Sequence, residues 1–239
     1  MLKYLNVLML IGMIIINYLA NALPLNNKTT GELSDSFPNL FVPAGITFSI
    51  WGLIYLLIII FSIVQFFSSN EEAINQISWL FALTCLLNGL WIFAWHYGKL
   101  PLSLLIMAGL LITLILINYR IKYLPFNLIK STFGIYLGWI CIATIANVTA
   151  LLVSYNWNGF GISEEVWTII MITTGTLIVS LTLLRLQNPY VGLAVIWAFA
   201  GIIIKRQADY MSIVITAGMG ILIVTIVTIM AFLRKPLLT

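Results

Sequence analysis

The sequence predicts an all-α, polytopic membrane helical bundle of about eight transmembrane helices, and three observations carry that expectation. Hydrophobic residues fill 62% of the 239 positions, charged residues only 8%, and mean hydropathy is +1.10. Soluble domains use roughly a quarter charged residues, so this chain cannot clothe itself in water. Apolar runs long enough to cross a ~30 Å hydrocarbon core recur along the whole length, and the period-two alternation of a membrane β-barrel is missing. The pI near 9.1 comes without a basic stripe outside those runs, so no nucleic-acid partner is expected.

The runs place helices at 5–23, 46–67, 78–96, 102–118, 129–153, 165–186, 190–204 and 211–233. Lys3, an apolar stretch and "ANA" at 20–22 give the first run a signal-peptide outline. Its apolar part is long for a signal, and an uncleaved helix is expected. Pro43 in "FVPAGITFSIWGLIY" predicts the first turn of the second helix, where its missing N–H costs nothing. Trp51 then lies ~12 Å along the axis, deeper than the interfacial belt of membrane aromatics, with Tyr55 one turn further on. In the third helix, "LTCLLNGLWIFAWHYGKLP" sets Asn88 ~15 Å deep, with Trp91 beside it. An amide there demands a partner, either another helix or a ligand.

The fifth run carries Tyr136, Trp139, Ala143 and Asn147 at spacings of three or four, which is one stripe. Two aromatics, a small residue and an amide would suit a cavity wall, although the same stripe would also serve as packing. Gly134 and Gly138 form a G-x-x-x-G on an adjacent face, predicting a tight helix pair or a homodimer contact. The sixth to eighth runs add Trp167 and Trp197, and the seventh is the shortest.

Between the runs, 24–43 is long enough to be a lid over a cavity mouth. "SYNWNGFGISEE" at 154–165 is the clearest internal boundary and divides the chain into 1–157, five helices, and 158–239, three. With eight crossings, Lys3, Arg120, Lys122, Lys130, Arg185, Arg234 and Lys235 share a side with both termini. Lys28, Lys99, Lys205 and Arg206 fall on the other. Seven cations against four predict that both termini are cytoplasmic. Catalytic machinery is thin, with no catalytic residue to name. His96 is the sole histidine and a weak metal or heme ligand candidate, and Cys85 and Cys141 sit in apolar helices without metal spacing. No acid lies securely inside a span, which disfavours an ion-coupled pump.

The order of these motifs resembles the tryptophan-rich sensory protein family, TspO/MBR, which includes the peripheral benzodiazepine receptor. Pro43, Phe48, Trp51 and Tyr55 fit its second-helix pattern, with Ala44 where a second Pro is usual. Leu87, Asn88 and Trp91 fit the third; Tyr136, Trp139, Ala143 and Asn147 fit the last, with Ile135 replacing Pro. The resemblance covers residues 1 to about 155. It implies a five-helix bundle whose pocket binds a porphyrin, heme or sterol-like ligand against Trp51 and Trp139. Asn88, Trp91 and Asn147 are carried over as further ligand contacts. It also implies a receptor or sensor in a membrane, with lipids as neighbours and no required cofactor. Porphyrin breakdown ranks below binding. The Trp-rich first loop of the family is absent, and the last three helices fall outside its five. The alternatives are a passive transporter of the same ligands and a scaffold with no small-molecule ligand. Richness in Asn and Ile suggests an AT-rich bacterial genome and therefore a plasma membrane.

Overall fold

In the computed structural model, residues 1–23 and 25–233 are described; Pro24, Arg234 and Lys235 of the arguments above lie outside the described residues. Ten helices follow one another: α1 (Leu2–Ala22), α2 (Thr30–Asp35), α3 (Ile50–Val64), α4 (Glu71–Ile77), α5 (Leu80–His96), α6 (Leu100–Arg120), α7 (Leu128–Ser154), α8 (Glu164–Leu186), α9 (Tyr190–Arg206) and α10 (Met211–Leu233). There is no strand among the described residues.

Eight of these helices occupy the eight apolar runs, but fewer have the length of a membrane span. Six are long and apolar enough alone, α3 counting with the 3₁₀ turn Gly45–Ser49 before it. A seventh follows if α4 and α5, bent by 61° at their junction, make one span. The bend sits at Ser78, where φ is 53° and ψ −141°. The remaining helix, α9, has 17 residues.

Local chemistry sets the helix ends. Asn127 Oδ1 caps α7 by accepting from Lys130 N at 3.0 Å, and Ser163 caps α8, whose first turn carries Glu164 and Glu165. Pro43 does not open an α-helix as expected. Ala44 is extended (ψ 147°) because its N–H donates to the Gly201 carbonyl of α9 at 3.0 Å, and the chain winds as a 3₁₀ turn before α3 begins at Ile50. Thr47 fits closely over Gly201, in space that a Cβ there would fill.

Consecutive long helices run antiparallel, so their connections alternate between two ends. At the lid end, the chain between α1 and α3 meets the ends of α5 and α9: Asn26 Nδ2 donates to His96 O and Arg206 Nε to Leu40 O, each at 3.0 Å. At the far end, Asn188 Nδ2 donates to Asn118 Oδ1 at 2.7 Å and to Lys130 O at 2.8 Å. Lys130, nearly fully buried, directs its ammonium to the carbonyls of Lys122 and Leu124. The G-x-x-x-G motif makes its tight pair within the chain. A Cβ on Gly138 would strike the Val191 carbonyl, and one on Gly134 would come within 2.6 Å of the Asn188 side chain. That face of α7 is sealed by α9 and is not open to a second copy.

Candidate functional site

Midway along the bundle a chain of polar side chains links four helices. Tyr55 OH donates to Asn17 Oδ1 at 2.5 Å, and Asn17 Nδ2 donates to Asn88 Oδ1 at 2.7 Å. Asn88 Nδ2 in turn donates to Tyr136 OH at 3.0 Å. Asn88 therefore finds its partners within the protein, which removes the desolvation penalty of a mid-membrane amide.

On the lid side of this layer the helices do not close. Two adjoining cavities, about 180 and 50 Å³, share Thr30, Phe48, Trp51 and Trp91 as walls. Asn17, Asn21 and Tyr55 complete the larger, while Trp139, Ala143 and Asn147 of α7 wall the smaller. The aromatic rings brace one another. Trp51 stacks on Tyr55 (centroids 5.4 Å, planes 19° apart), and Trp139 meets Trp51 edge-on at 6.2 Å and Phe48 at 5.9 Å. Trp91 stacks on Trp95 at 5.7 Å. Such contacts hold the rings in place and leave the gap between them.

The smaller cavity carries an unusual set of polar groups. Trp91 Nε1, Trp139 Nε1 and Asn147 Nδ2 are all buried and have no hydrogen-bond partner among the described residues. Ser103 Oγ lies 3.1 Å from Asn147 Oδ1 and 3.0 Å from Leu100 O, and its single hydrogen serves one of the two. Each of the three is an N–H donor, and an unpaired buried donor carries about 1–3 kcal/mol of desolvation penalty. An acceptor on a bound molecule would relieve it.

Helix α2 covers the cavities, contributing Thr30 and Gly31 to the larger and Thr30 and Ser34 to the smaller. It is held by a capping box in which Thr29 N donates to Glu32 Oε2 at 2.7 Å and Glu32 N to Thr29 Oγ1 at 3.3 Å. His96 fastens it from α5. Its Nδ1 lies 3.0 Å from the Leu25 carbonyl, which can only accept, so Nδ1 carries a hydrogen, and Nε2 lies within hydrogen-bond distance of Thr30 Oγ1 at 3.1 Å. Both ring nitrogens are thus engaged, and among the described residues no three His, Cys, Asp or Glu side chains gather to hold a metal. From α9, Lys205 pairs with Asp35 at 3.3 Å and Arg206 Nη2 donates to Asn39 O at 2.6 Å.

Of the residues expected to contact a ligand, Phe48, Trp51, Tyr55, Trp91, Trp139, Ala143 and Asn147 line the two cavities, while Asn88 and Tyr136 lie behind them in the polar layer. Asn17, Asn21 and Trp95 line the site without having been named as ligand contacts, as do Thr30, Gly31 and Ser34 of the segment expected to form a lid. Asn17 carried a signal, being an amide inside the apolar run "MIIINYLANA", as Asn88 is in its own. "TTGE" at 29–32 spells the capping box of the lid.

No curated protein and no solved structure matches the chain. A family model described as TSPO-like protein matches residues 3–230, and so takes in α8, α9 and α10 as well as the first five long helices. With a membrane-helical bundle matched over nearly its whole length, this chain belongs to the TSPO-like family, whose kinship points to a multi-pass membrane protein of the receptor or transporter kind.

Proposed function

We propose that this protein is a membrane receptor for a hydrophobic aromatic ligand, of tetrapyrrole or sterol type, bound under α2 between α1, α3, α5 and α7. The observation that carries this reading is the set of three unpartnered donors, Trp91 Nε1, Trp139 Nε1 and Asn147 Nδ2, on one aromatic-walled cavity. Flat rings suit a macrocycle by stacking, and the donors suit its carboxylate or ketone oxygens. The chemistry fits such a ligand better than the volume does. Pockets for drug-sized ligands run ~300–1,000 Å³, whereas the two cavities hold about 180 and 50 Å³. Binding a macrocycle therefore requires α2 to move away from His96 and from Lys205.

The experiment is quenching of tryptophan fluorescence in the purified full chain by protoporphyrin IX and by heme, with Trp51→Phe and Trp139→Phe alongside. Saturable quenching weakened in both variants supports the reading. Quenching absent, or the same in all three proteins, removes it.

A passive transporter of such ligands is the second reading, favoured by an apolar cleft of about 350 Å³ on the lipid-facing side between α3, α7 and α9. Net flux of the ligand into sealed vesicles separates the two. If all eight long helices cross, Lys and Arg placement supports both termini in the cytoplasm, and accessibility labelling of a cysteine placed in the α2 segment checks that orientation.

A further inference from the structure

A separate cavity, about 370 Å³, opens at the lid end where the connection between α7 and α8 folds over the first turns of α8. It shares no lining residue with the two cavities inside the bundle. Trp157 and Trp167 form two of its walls, their centroids 5.1 Å apart and their planes at 55°, so the rings make an open corner instead of a stack. Both are fixed in orientation. The Trp167 indole N–H donates to Gly159 O at 2.8 Å, and Phe160 packs edge-on to Trp157 at 5.3 Å. The loop that presents them is tightly wound, with positive φ at Asn156, Gly159, Phe160 and Gly161.

Glu164 is the one ionisable residue among those lining this cavity. The ion pair formed among the described residues is Lys205–Asp35, so the Glu164 carboxylate is unpaired. Arg206 lies close enough to feel its charge, but that guanidinium already donates to the carbonyls of Leu40 and Asn39 and is not a lining residue. Glu165 is engaged separately, by Ser212.

Two tryptophan faces set at an angle with a carboxylate beside them make an environment for a cation. The negative face of each indole attracts positive charge, most effectively where the cation is poorly hydrated, as an alkylated ammonium is. A volume near the lower end of the ~300–1,000 Å³ range of small-molecule pockets admits such a head with a body of phenyl size. An anion would face Glu164 with no lining cation to offset it. The exposed Tyr155 next to the cavity has the amphipathic aromatic character of a membrane–water interface. We infer that this cavity binds an alkylated ammonium carried on an apolar body, a chemistry shared by a choline-type lipid headgroup and a free quaternary amine.

The inference uses none of the residues of the bundle cavity and stands or falls apart from the function proposed above. Its test is calorimetric titration of the full chain in a non-ionic detergent with benzyltrimethylammonium and with its neutral carbon isostere, neopentylbenzene. The cation should bind saturably and the isostere at least about tenfold more weakly; Glu164→Gln and Trp157→Ala should each weaken the cation by about tenfold. Equal binding of the isostere, or cation binding indifferent to both substitutions, overturns the inference. Repeating the titration in phosphatidylcholine and phosphatidylglycerol nanodiscs separates the sources. Cation binding suppressed only in phosphatidylcholine supports a lipid headgroup as occupant, and equal binding in both supports a free amine.

Discussion

Three helices build two different interiors at their two ends. Toward the far end α3, α5 and α7 each contribute a phenylalanine: Phe61, Phe81 and Phe133 are wholly buried, with centroids 4.8, 5.0 and 6.2 Å apart, all edge-on. Toward the lid end the same helices contribute Trp51, Trp91 and Trp139, which surround cavities. The polar chain from Tyr55 through Asn17 and Asn88 to Tyr136 divides the two. The phenylalanines have no polar atom to satisfy and close into a solid layer. The tryptophans bring N–H groups, and those of Trp91 and Trp139 are buried without a partner among the described residues. An aromatic stripe in a membrane helix is therefore weak evidence for a site by itself; the unpaired donors distinguish the lid end from the end that only packs.

The largest effect should come from breaking the solid layer. Phe133→Ala leaves a void of ~100 Å³, and at ~24 cal/mol per Å³ the cavity term alone removes about 2–3 kcal/mol. Lipid is as apolar as the core, so the transfer part of the usual penalty is small here. Thermal unfolding in detergent reads the loss, and an unchanged transition would mean that the layer relaxes to fill the gap. Asn88→Ala comes next. It deletes the bonds to Asn17 and Tyr136, each worth ~0.6 kcal/mol on average in membrane proteins, and leaves the Tyr136 hydroxyl without its partner, for a total of about 1–2 kcal/mol. The lid end should respond in the opposite manner. Trp139→Phe removes a donor that has no partner in the ligand-free protein, so the melting temperature should hold or rise while protoporphyrin binding weakens several-fold. A melting temperature that falls as far as that of Phe133→Ala would make Trp139 a packing residue like those of the far end.

The division between the two ends was only partly legible in the sequence. The stripe Tyr136, Trp139, Ala143 and Asn147 is visible at helical spacing, yet periodicity cannot say that Tyr136 is turned into the polar layer while Trp139 and Asn147 reach the cavity. Asn88 illustrates the same limit. Its depth demanded a partner, and whether that partner was a helix or a ligand depended on Asn17, 71 residues away. The helices themselves were readable because apolar runs of membrane length have few alternatives. The start of α3 was not, since Gly201 of α9 pulls Ala44 out of the helix through a contact with no local signal. The fastening of the lid by Lys205 and Arg206 is likewise long-range, linking α9 to residues about 165 positions earlier, and it gives that helix a part in holding the lid.

The smallest effect should sharpen the comparison at the lid itself. The far end presents no acid to its Phe61, Phe81 and Phe133 layer, whereas α2 depends on one. The Glu32 carboxyl is held below the ordinary glutamate range, chiefly because it accepts the Thr29 backbone N–H, then the Thr29 hydroxyl, with Lys28 adding a little. A group whose folded pKa is depressed stabilises the fold at pH values above its unfolded value, and that stabilisation disappears as the pH falls through the folded value. With the unfolded value near ~4.3, the capping box should be intact from neutrality down to about pH 5 and should loosen progressively below it. Hydrogen exchange of residues 29–36, corrected for the intrinsic rate, should therefore accelerate below about pH 4. Exchange in the Phe61, Phe81 and Phe133 layer should not change over the same range. Glu32→Gln keeps a side-chain oxygen for the Thr29 N–H but has no proton to gain, so its lid should exchange somewhat faster at neutral pH and show no acceleration on acidification. If the variant accelerates as much as the parent, the acid response of the lid lies elsewhere, and the contact of His96 with Thr30 would be the next to remove.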